Sequence, residues 1–127
     1  MSLYSGIIEE HFKHPRNFGK LAAAQIREEG VNPICGDRIR IEVAIDANDN
    51  VSAAGFQGDL CAIAKASGSL LTEMVRGLSI DRIEVLGEHE ILEALNAEIQ
   101  PARRKCAMLP LQVMQNGISE WRKRRRE

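Results

Sequence analysis

The chain has 127 residues, 44% of them hydrophobic and 28% charged, with a formal net charge of -1 at pH 7. That length suits one core and is too short for two independent ones, and the near-neutral charge gives no general case for a nucleic-acid partner. An odd count of three cysteines, no charged-then-apolar leader and no apolar run long enough to cross a bilayer argue against a disulfide framework and for a reducing compartment, so the expectation is a cytoplasmic protein with no membrane partner.

Aromatic residues make up only 4% of the chain, so aliphatic side chains must fill the interior. Leu3, Ile7, Ile8 and Phe12 recur at helical spacing and predict a short amphipathic helix, halted at His14-Pro15-Arg16-Asn17-Phe18-Gly19, where proline and glycine enforce a turn. After a weakly patterned stretch around Gln25 to Glu29, the run Asp37 to Asp46 alternates strictly. Ile39, Ile41, Val43 and Ile45 fall on one face, and Arg38, Arg40, Glu42 and Ala44 on the other, which predicts a half-buried strand. Asp46-Ala47-Asn48-Asp49-Asn50 is turn chemistry, and Val51 to Gln57 is its antiparallel return. The hairpin therefore brings Cys35 and Cys61 to the same end in space.

Ala62 to Arg76 carries an apolar stripe of Ile63, Ala66, Leu70 and Met74, with Gly77 placed to stop the helix, so Cys61 sits near a helix N-terminus. Ser79 to Asn96, divided by Gly87, predicts two brief helices. A last helix is expected to start just after Cys106, with Pro110 in its first turn, and to run to the basic tail with Leu109, Val113 and Trp121 along one side. Cys106 would then occupy a second helix N-terminus. The expected fold class is α+β, a single domain over residues 1–127 with a small three-stranded antiparallel sheet and helices packed mainly on one face.

Each cysteine lies in its own short motif: Asn32-Pro33-Ile34-Cys35-Gly36-Asp37, Gly58-Asp59-Leu60-Cys61-Ala62-Ile63 and Pro101-Ala102-Arg103-Arg104-Lys105-Cys106-Ala107. With Asp37 they make a set of three thiolates and one carboxylate, which suits zinc or an iron-sulfur cluster far better than magnesium or calcium. Intervals of roughly 26 and 45 residues match no zinc-finger or ferredoxin spacing. Local context says more, because a reversal or helix start beside each cysteine offers backbone N–H groups to a thiolate. The competing reading of each is a buried small hydrophobe, and it is weakest for Cys35, between Pro33 and Gly36.

Four landmarks now stand in order: His11-Phe12-Lys13-His14-Pro15-Arg16-Asn17-Phe18-Gly19, Asn32 to Asp37, Phe56-Gln57-Gly58-Asp59-Leu60-Cys61-Ala62-Ile63-Ala64-Lys65-Ala66-Ser67, and Pro101 to Ala107. In them the chain resembles the NifU N-terminal domain family of iron-sulfur cluster assembly proteins, which includes the IscU scaffolds and the SufU-type zinc proteins. The resemblance implies that Cys35, Asp37, Cys61 and Cys106 surround one exposed site that assembles a transient [2Fe-2S] cluster or holds Zn2+. It implies a cysteine desulfurase as the partner that delivers persulfide sulfur, with Cys106 and Cys35 ranked as acceptors ahead of Cys61, and client apo iron-sulfur proteins or carriers that receive the product. A carboxylate in place of a fourth thiolate weakens the iron shell and keeps the cluster labile, as a scaffold requires.

Three departures are visible. Scaffolds of the IscU type have a histidine just before the third cysteine and a Leu-Pro-Pro-Val-Lys segment, where this chain reads Ile99-Gln100-Pro101-Ala102-Arg103-Arg104-Lys105. The wording Pro101 to Ala107 is similar to the SufU branch, yet the insertion which that branch carries between the second and third cysteines is missing. Asp59 stands where the family has glycine, and either caps the helix or opposes thiolate formation at Cys61. The leading expectation is a non-enzymatic scaffold; the alternatives are a zinc-dependent sulfurtransferase and a binding module with a structural zinc.

Other residues have plainer readings. His11, His14 and His89 read as structural or solvated. Lys105 and Arg103 flank Cys106 and either lower its pKa or are simply solvated cations. Arg122-Lys123-Arg124-Arg125-Arg126 reads as a solvated helix end that complements the helix dipole, with an acidic partner surface as the alternative.

Overall fold

The alternation of residues 37–46 becomes the central strand of a three-stranded antiparallel sheet in the order β1-β2-β3, with β1 at Ile26–Asn32, β2 at Asp37–Ile45 and β3 at Val51–Asp59. Around it lie α1 (Gly6–Lys13), α2 (Ala62–Met74), α3 (Ile80–Glu84), α4 (Glu88–Leu95) and α5 (Pro101–Arg126). This computed structural model describes residues 5–126; Leu3, counted above in the first helical stripe, lies outside the described residues. The α+β class and the antiparallel sheet agree with the expectation from sequence.

α5 packs across β1 and β2, and α2 packs on β3. Ile39, Ile41, Val43 and Ile45 join Phe56, Ile63, Leu71, Leu111, Val113, Met114 and Ile118 in one buried cluster. At about 25 cal/mol per Å² of apolar surface, burying such side chains is the main source of stability. α1 packs on α2.

β1 was only a weakly patterned stretch in the sequence, and the register explains why. Its core-facing residues, opposite Val43, Ile41, Ile39 and Asp37, are Ile26, Glu28, Gly30 and Asn32, of which only the first is a large apolar side chain. α5 lies close over this strand: a Cβ on Gly30 would stand 2.4 Å from Val113 Cγ2.

The outer face of β2 is less exposed than its charges imply. Glu42 retains only 3% of its surface, because residues 17–25 cross over the sheet there. Gly19 N–H donates to Phe56 O, Leu21 N–H donates to Glu42 Oε1 at 2.8 Å, and Gln25 N–H donates to Val43 O. Arg27 Nε and Arg40 Nε each reach Glu42 Oε2 at 3.2 Å. The Leu21 N–H, helped by Arg40 and Arg27 and opposed by burial, holds the Glu42 carboxyl below its ordinary 4.5. Its stabilising contribution is complete above that ordinary value and is lost as pH falls through the lower folded value. Both arginines are partly solvated, so Glu42→Gln is expected to cost only about 1–2 kcal/mol at neutral pH. Urea unfolding at neutral and acid pH checks this: the gap between variant and parent should shrink toward acid.

The last helix corrects the sequence reading. It starts at Pro101, not after Cys106, so Cys106 lies in its second turn and Pro110 is in the helix interior. Pro101 already supplies the favoured first-turn proline. Pro110 removes the N–H that would bond the Cys106 carbonyl, and packing of Leu109, Leu111, Val113 and Met114 into the core carries the helix through. Buried Ser67 on α2 donates to Ala107 O at 2.6 Å, which ties the two helices together beside Cys106.

Candidate metal centre

Two junctions and the second turn of α5 meet at one end of the sheet. The β1–β2 turn presents Cys35, β2 opens with Asp37, the β3–α2 junction presents Cys61, and the second turn of α5 carries Cys106. The hairpin argument from sequence is borne out: Cys35 and Cys61 share this end.

Asp37 is the hub, with 3% of its surface exposed. Its Oδ1 accepts the Cys61 backbone N–H at 2.8 Å, and its Oδ2 lies 3.0 Å from Cys35 Sγ and 3.4 Å from Cys61 Sγ. Cys35 Sγ and Cys106 Sγ are 3.2 Å apart. One ligand atom each from Cys35, Asp37 and Cys106 lies within 4.8 Å of the others. Cys61 stands just outside that tight group, at the N-cap of α2, where its Sγ accepts the Ala64 N–H at 3.4 Å.

The thiols differ in access: Cys35 is exposed, Cys61 intermediate and Cys106 buried. Burial works against ionising Asp37, but hydrogen bonds from the Cys35 thiol, the Cys61 N–H and the Cys61 and Cys106 thiols outweigh it and hold its carboxyl below the usual value. Cys106 goes the other way, pushed up to about 12 by burial, by its hydrogen bond with Cys35 and by the neighbouring charges of Cys61 and Cys35. The reading in which Lys105 and Arg103 lower this pKa is therefore corrected. A bound metal supplies the positive charge that reverses the proton preference of Cys106. The donor set of Cys35, Asp37 and Cys106 thus fits a thiophilic metal, with Cys61 beside it.

The Asn32-Pro33-Ile34-Cys35 motif brings a further residue to the centre. Asn32, 8% exposed, accepts the Ile34 N–H on Oδ1 at 3.2 Å and points Nδ2 at Cys106 Sγ, 4.0 Å away. Its carbonyl accepts the Gly36 N–H at 2.8 Å. The signal available in sequence was Asn two residues before the turn N–H it binds, an Asx turn. Asn32→Ala is expected to cost about 1 kcal/mol and to loosen the Cys35 turn, measured as faster alkylation of the thiols in the metal-free protein.

The other singled-out residues lie apart from the centre. Asp59 is exposed at the end of β3, opposite Arg38; the cap of α2 is Cys61, so the capping role expected of Asp59 is corrected. His11 Nδ1 is 2.7 Å from Ser69 Oγ, and His89 pairs with Glu93 at 3.0 Å. The basic tail is partly tied to its own chain, with Arg122 on Asp81 and Glu84, and Arg125 on Asp49 and over the Trp121 ring.

The family model described as the NifU-like N terminal domain matches residues 3–127. This chain belongs to the NifU-like N-terminal domain family. The NifU-like chain is 33% identical over 139 residues to the zinc-dependent sulfurtransferase SufU of Bacillus subtilis, covering 94% of this chain and 91% of the relative. That alignment is longer than the chain, so the relative carries residues without a counterpart here, in keeping with the missing insertion. The iron-sulfur cluster assembly scaffold protein IscU of Escherichia coli is 28% identical over 128 residues, covering 96% of each chain. Among solved structures, a putative scaffold protein for the SUF system from Fervidobacterium islandicum superposes with a TM-score of 0.74 at 26% identity, covering 91% of this chain and 96% of that one. An N-terminal NifU-like protein from Brucella abortus, at 16% identity and a TM-score of 0.77 over 94% of each chain, shares the fold. Among the described residues no helix is long and apolar enough to cross a membrane.

Proposed function

We propose that this NifU-like domain is an iron-sulfur cluster assembly scaffold, on which iron and sulfide are combined into a transient [2Fe-2S] cluster that is passed to client apo-proteins or carriers. The observation that carries the reading is the convergence of three thiols from three separate elements on the Asp37 carboxylate, with one of them, Cys35, open to solvent. Cys35, Asp37, Cys61 and Cys106 hold the iron. The mixed thiolate and carboxylate shell binds firmly enough to assemble the cluster and loosely enough to release it.

Sulfur arrives as persulfide from a cysteine desulfurase, and the working compartment is the cytoplasm. Of the two acceptor candidates, Cys35 takes the sulfur, because a thiol must reach the donor sulfur to attack it and Cys106 is only 1% exposed. Neither a nucleic-acid nor a membrane partner enters this reading. The second reading, a zinc-dependent sulfurtransferase, is favoured by the 33% identity to the Bacillus subtilis protein and uses the same four residues to hold zinc. A purely structural zinc fits least well, since Cys35 is exposed and structural sites are closed.

The test is the visible spectrum after anaerobic incubation of the metal-free chain with ferrous iron, cysteine, reductant and a desulfurase. Sulfide-to-iron charge-transfer bands that vanish in Cys35→Ser are the expected result. A colourless protein that speeds alanine release only when zinc is restored would move the assignment to sulfur transfer.

A further inference from the structure

A persulfide delivers sulfur at the oxidation level of elemental sulfur, whereas a cluster contains sulfide, so each sulfur atom needs two electrons before it can be used. Two features of the centre bear on where those electrons come from. The Sγ atoms of Cys35 and Cys106 lie 3.2 Å apart, in contact and not far beyond the roughly 2.05 Å of a disulfide bond. Their access is opposite, with Cys35 exposed and Cys106 1% exposed, so an external donor loads the first while the second remains a thiol. Cys61 Sγ is turned toward Asp37 and the Ala64 N–H and is not in the tight group.

We propose that Cys106 is a resolving thiol, which attacks the Cys35 persulfide and expels its outer sulfur as hydrosulfide. The inference rests on the reading of Cys35 as the persulfide acceptor. The new bond joins Cys106 Sγ to Cys35 Sγ, and the bond that breaks joins Cys35 Sγ to the outer sulfur. The two cysteine sulfurs are oxidised to a disulfide, the outer sulfur is reduced by two electrons, and the proton that the Cys106 thiol gives up as it attacks leaves on the hydrosulfide. No other oxidant or reductant enters this step; a dithiol reductant afterwards restores the pair for another turnover.

Geometry selects this step over the alternative, in which Cys106 attacks the outer sulfur and merely takes over the persulfide. The atom that Cys106 Sγ already touches is Cys35 Sγ, the inner sulfur. Thiol–disulfide displacement is a direct attack of one sulfur on another, with the leaving sulfur departing on the far side, here the side of Cys35 away from buried Cys106. Cys35 belongs to the turn between β1 and β2 and is followed by Gly36 at a φ of 75°. The remaining closure falls on this turn and leaves the core helix α5 in place.

The experiment uses the full chain, reduced, metal-free and desalted without thiol reductant. It is loaded anaerobically in parallel by desulfurase with cysteine and by inorganic polysulfide, and followed by intact-mass and peptide mass spectrometry. In the parent, the one-sulfur adduct on Cys35 should decay to a Cys35–Cys106 disulfide while hydrosulfide appears, at a rate independent of protein concentration. Cys106→Ser should keep the adduct at least about tenfold longer, and Cys61→Ser should still convert. The proposal is overturned if the parent keeps its adduct with Cys106 a free thiol, if the sulfur moves to Cys106, or if Cys106→Ser loses it as fast as the parent. Conversion of the polysulfide-loaded parent, with no loading by the desulfurase, would support the resolving thiol and overturn the sulfur-accepting role of the site. The disulfide map of the parent decides the matter even if a variant fails to fold.

Discussion

Zinc affinity should rise about tenfold per pH unit through the neutral range for the proton that Cys106 gives up, and Cys106→Ser should lose that part of the slope. A liganding thiol gives up one proton wherever it is protonated, and burial, the Cys35 hydrogen bond and the neighbouring charges extend that range by pushing the Cys106 pKa up to about 12. Below that value the folded, metal-free chain holds the proton. A metal takes the thiolate, so binding releases the proton and is favoured as pH rises. Across three pH units this one group amounts to about 4 kcal/mol of binding free energy, enough to dominate any contribution from surface charge. Asp37 acts in the opposite range: its carboxyl is held below the usual value by the thiols and the Cys61 N–H, so it is already ionised at neutral pH and adds no slope there. Competition against a chelator of known proton dependence measures the effect. An identical slope in parent and Cys106→Ser would mean that Cys106 is not a ligand.

The parts of this architecture that were legible in sequence are those whose local pattern matches their environment. β2 alternates because one face meets the core, so the hairpin that joins the Cys35 and Cys61 ends followed from period and turn chemistry alone. The α2 stripe was only half right, since Ile63 and Ala66 are buried but Leu71 and Thr72 take the core places expected of the half-buried Leu70 and Met74. β1 was hidden because α5 lies so close that Gly30 and Glu28 stand where an isoleucine would otherwise mark the strand. The start of α5 was misplaced because Pro110 looked like a helix opening, whereas Pro101 takes that role and tertiary packing carries the helix past the second proline. Glu42 falls on the outer face as the alternation has it, and its burial there was not legible because the crossing of residues 17–25 is a long-range event with no local signature. The centre itself was readable as four chemical types. Its asymmetry, with Cys35 outside, Cys106 inside and Asp37 as the shared hydrogen-bond acceptor, comes from how the sheet end and α5 meet.

Gly58→Ala should destabilise the chain by about 3 kcal/mol and lower its Tm by roughly 10 °C, and it should weaken metal binding as well. Gly58 has a φ of 152°, which side-chain-bearing residues rarely adopt, and a Cβ there would lie 1.9 Å from Arg38 O and 3.0 Å from Ile39 Cα. Those atoms are backbone of the paired strand, since Gly58 lies opposite Ile39, so no side chain can rotate away and β3 must lift off β2. The lift occurs one residue from Asp37 and three from Cys61, and it strains the 2.8 Å bond from the Cys61 N–H to Asp37 Oδ1. Gly77→Ala separates the two causes of instability, because Gly77 has a φ of 84° and nothing within 4 Å of its would-be Cβ. That variant carries conformational strain alone, about 1 kcal/mol, with zinc affinity unchanged. If Gly58→Ala unfolds no more easily than Gly77→Ala, the close approach of the two strands is not what requires glycine there. If it unfolds more easily but binds zinc as the parent does, the metal centre does not depend on the register of β2 and β3 at this end of the sheet.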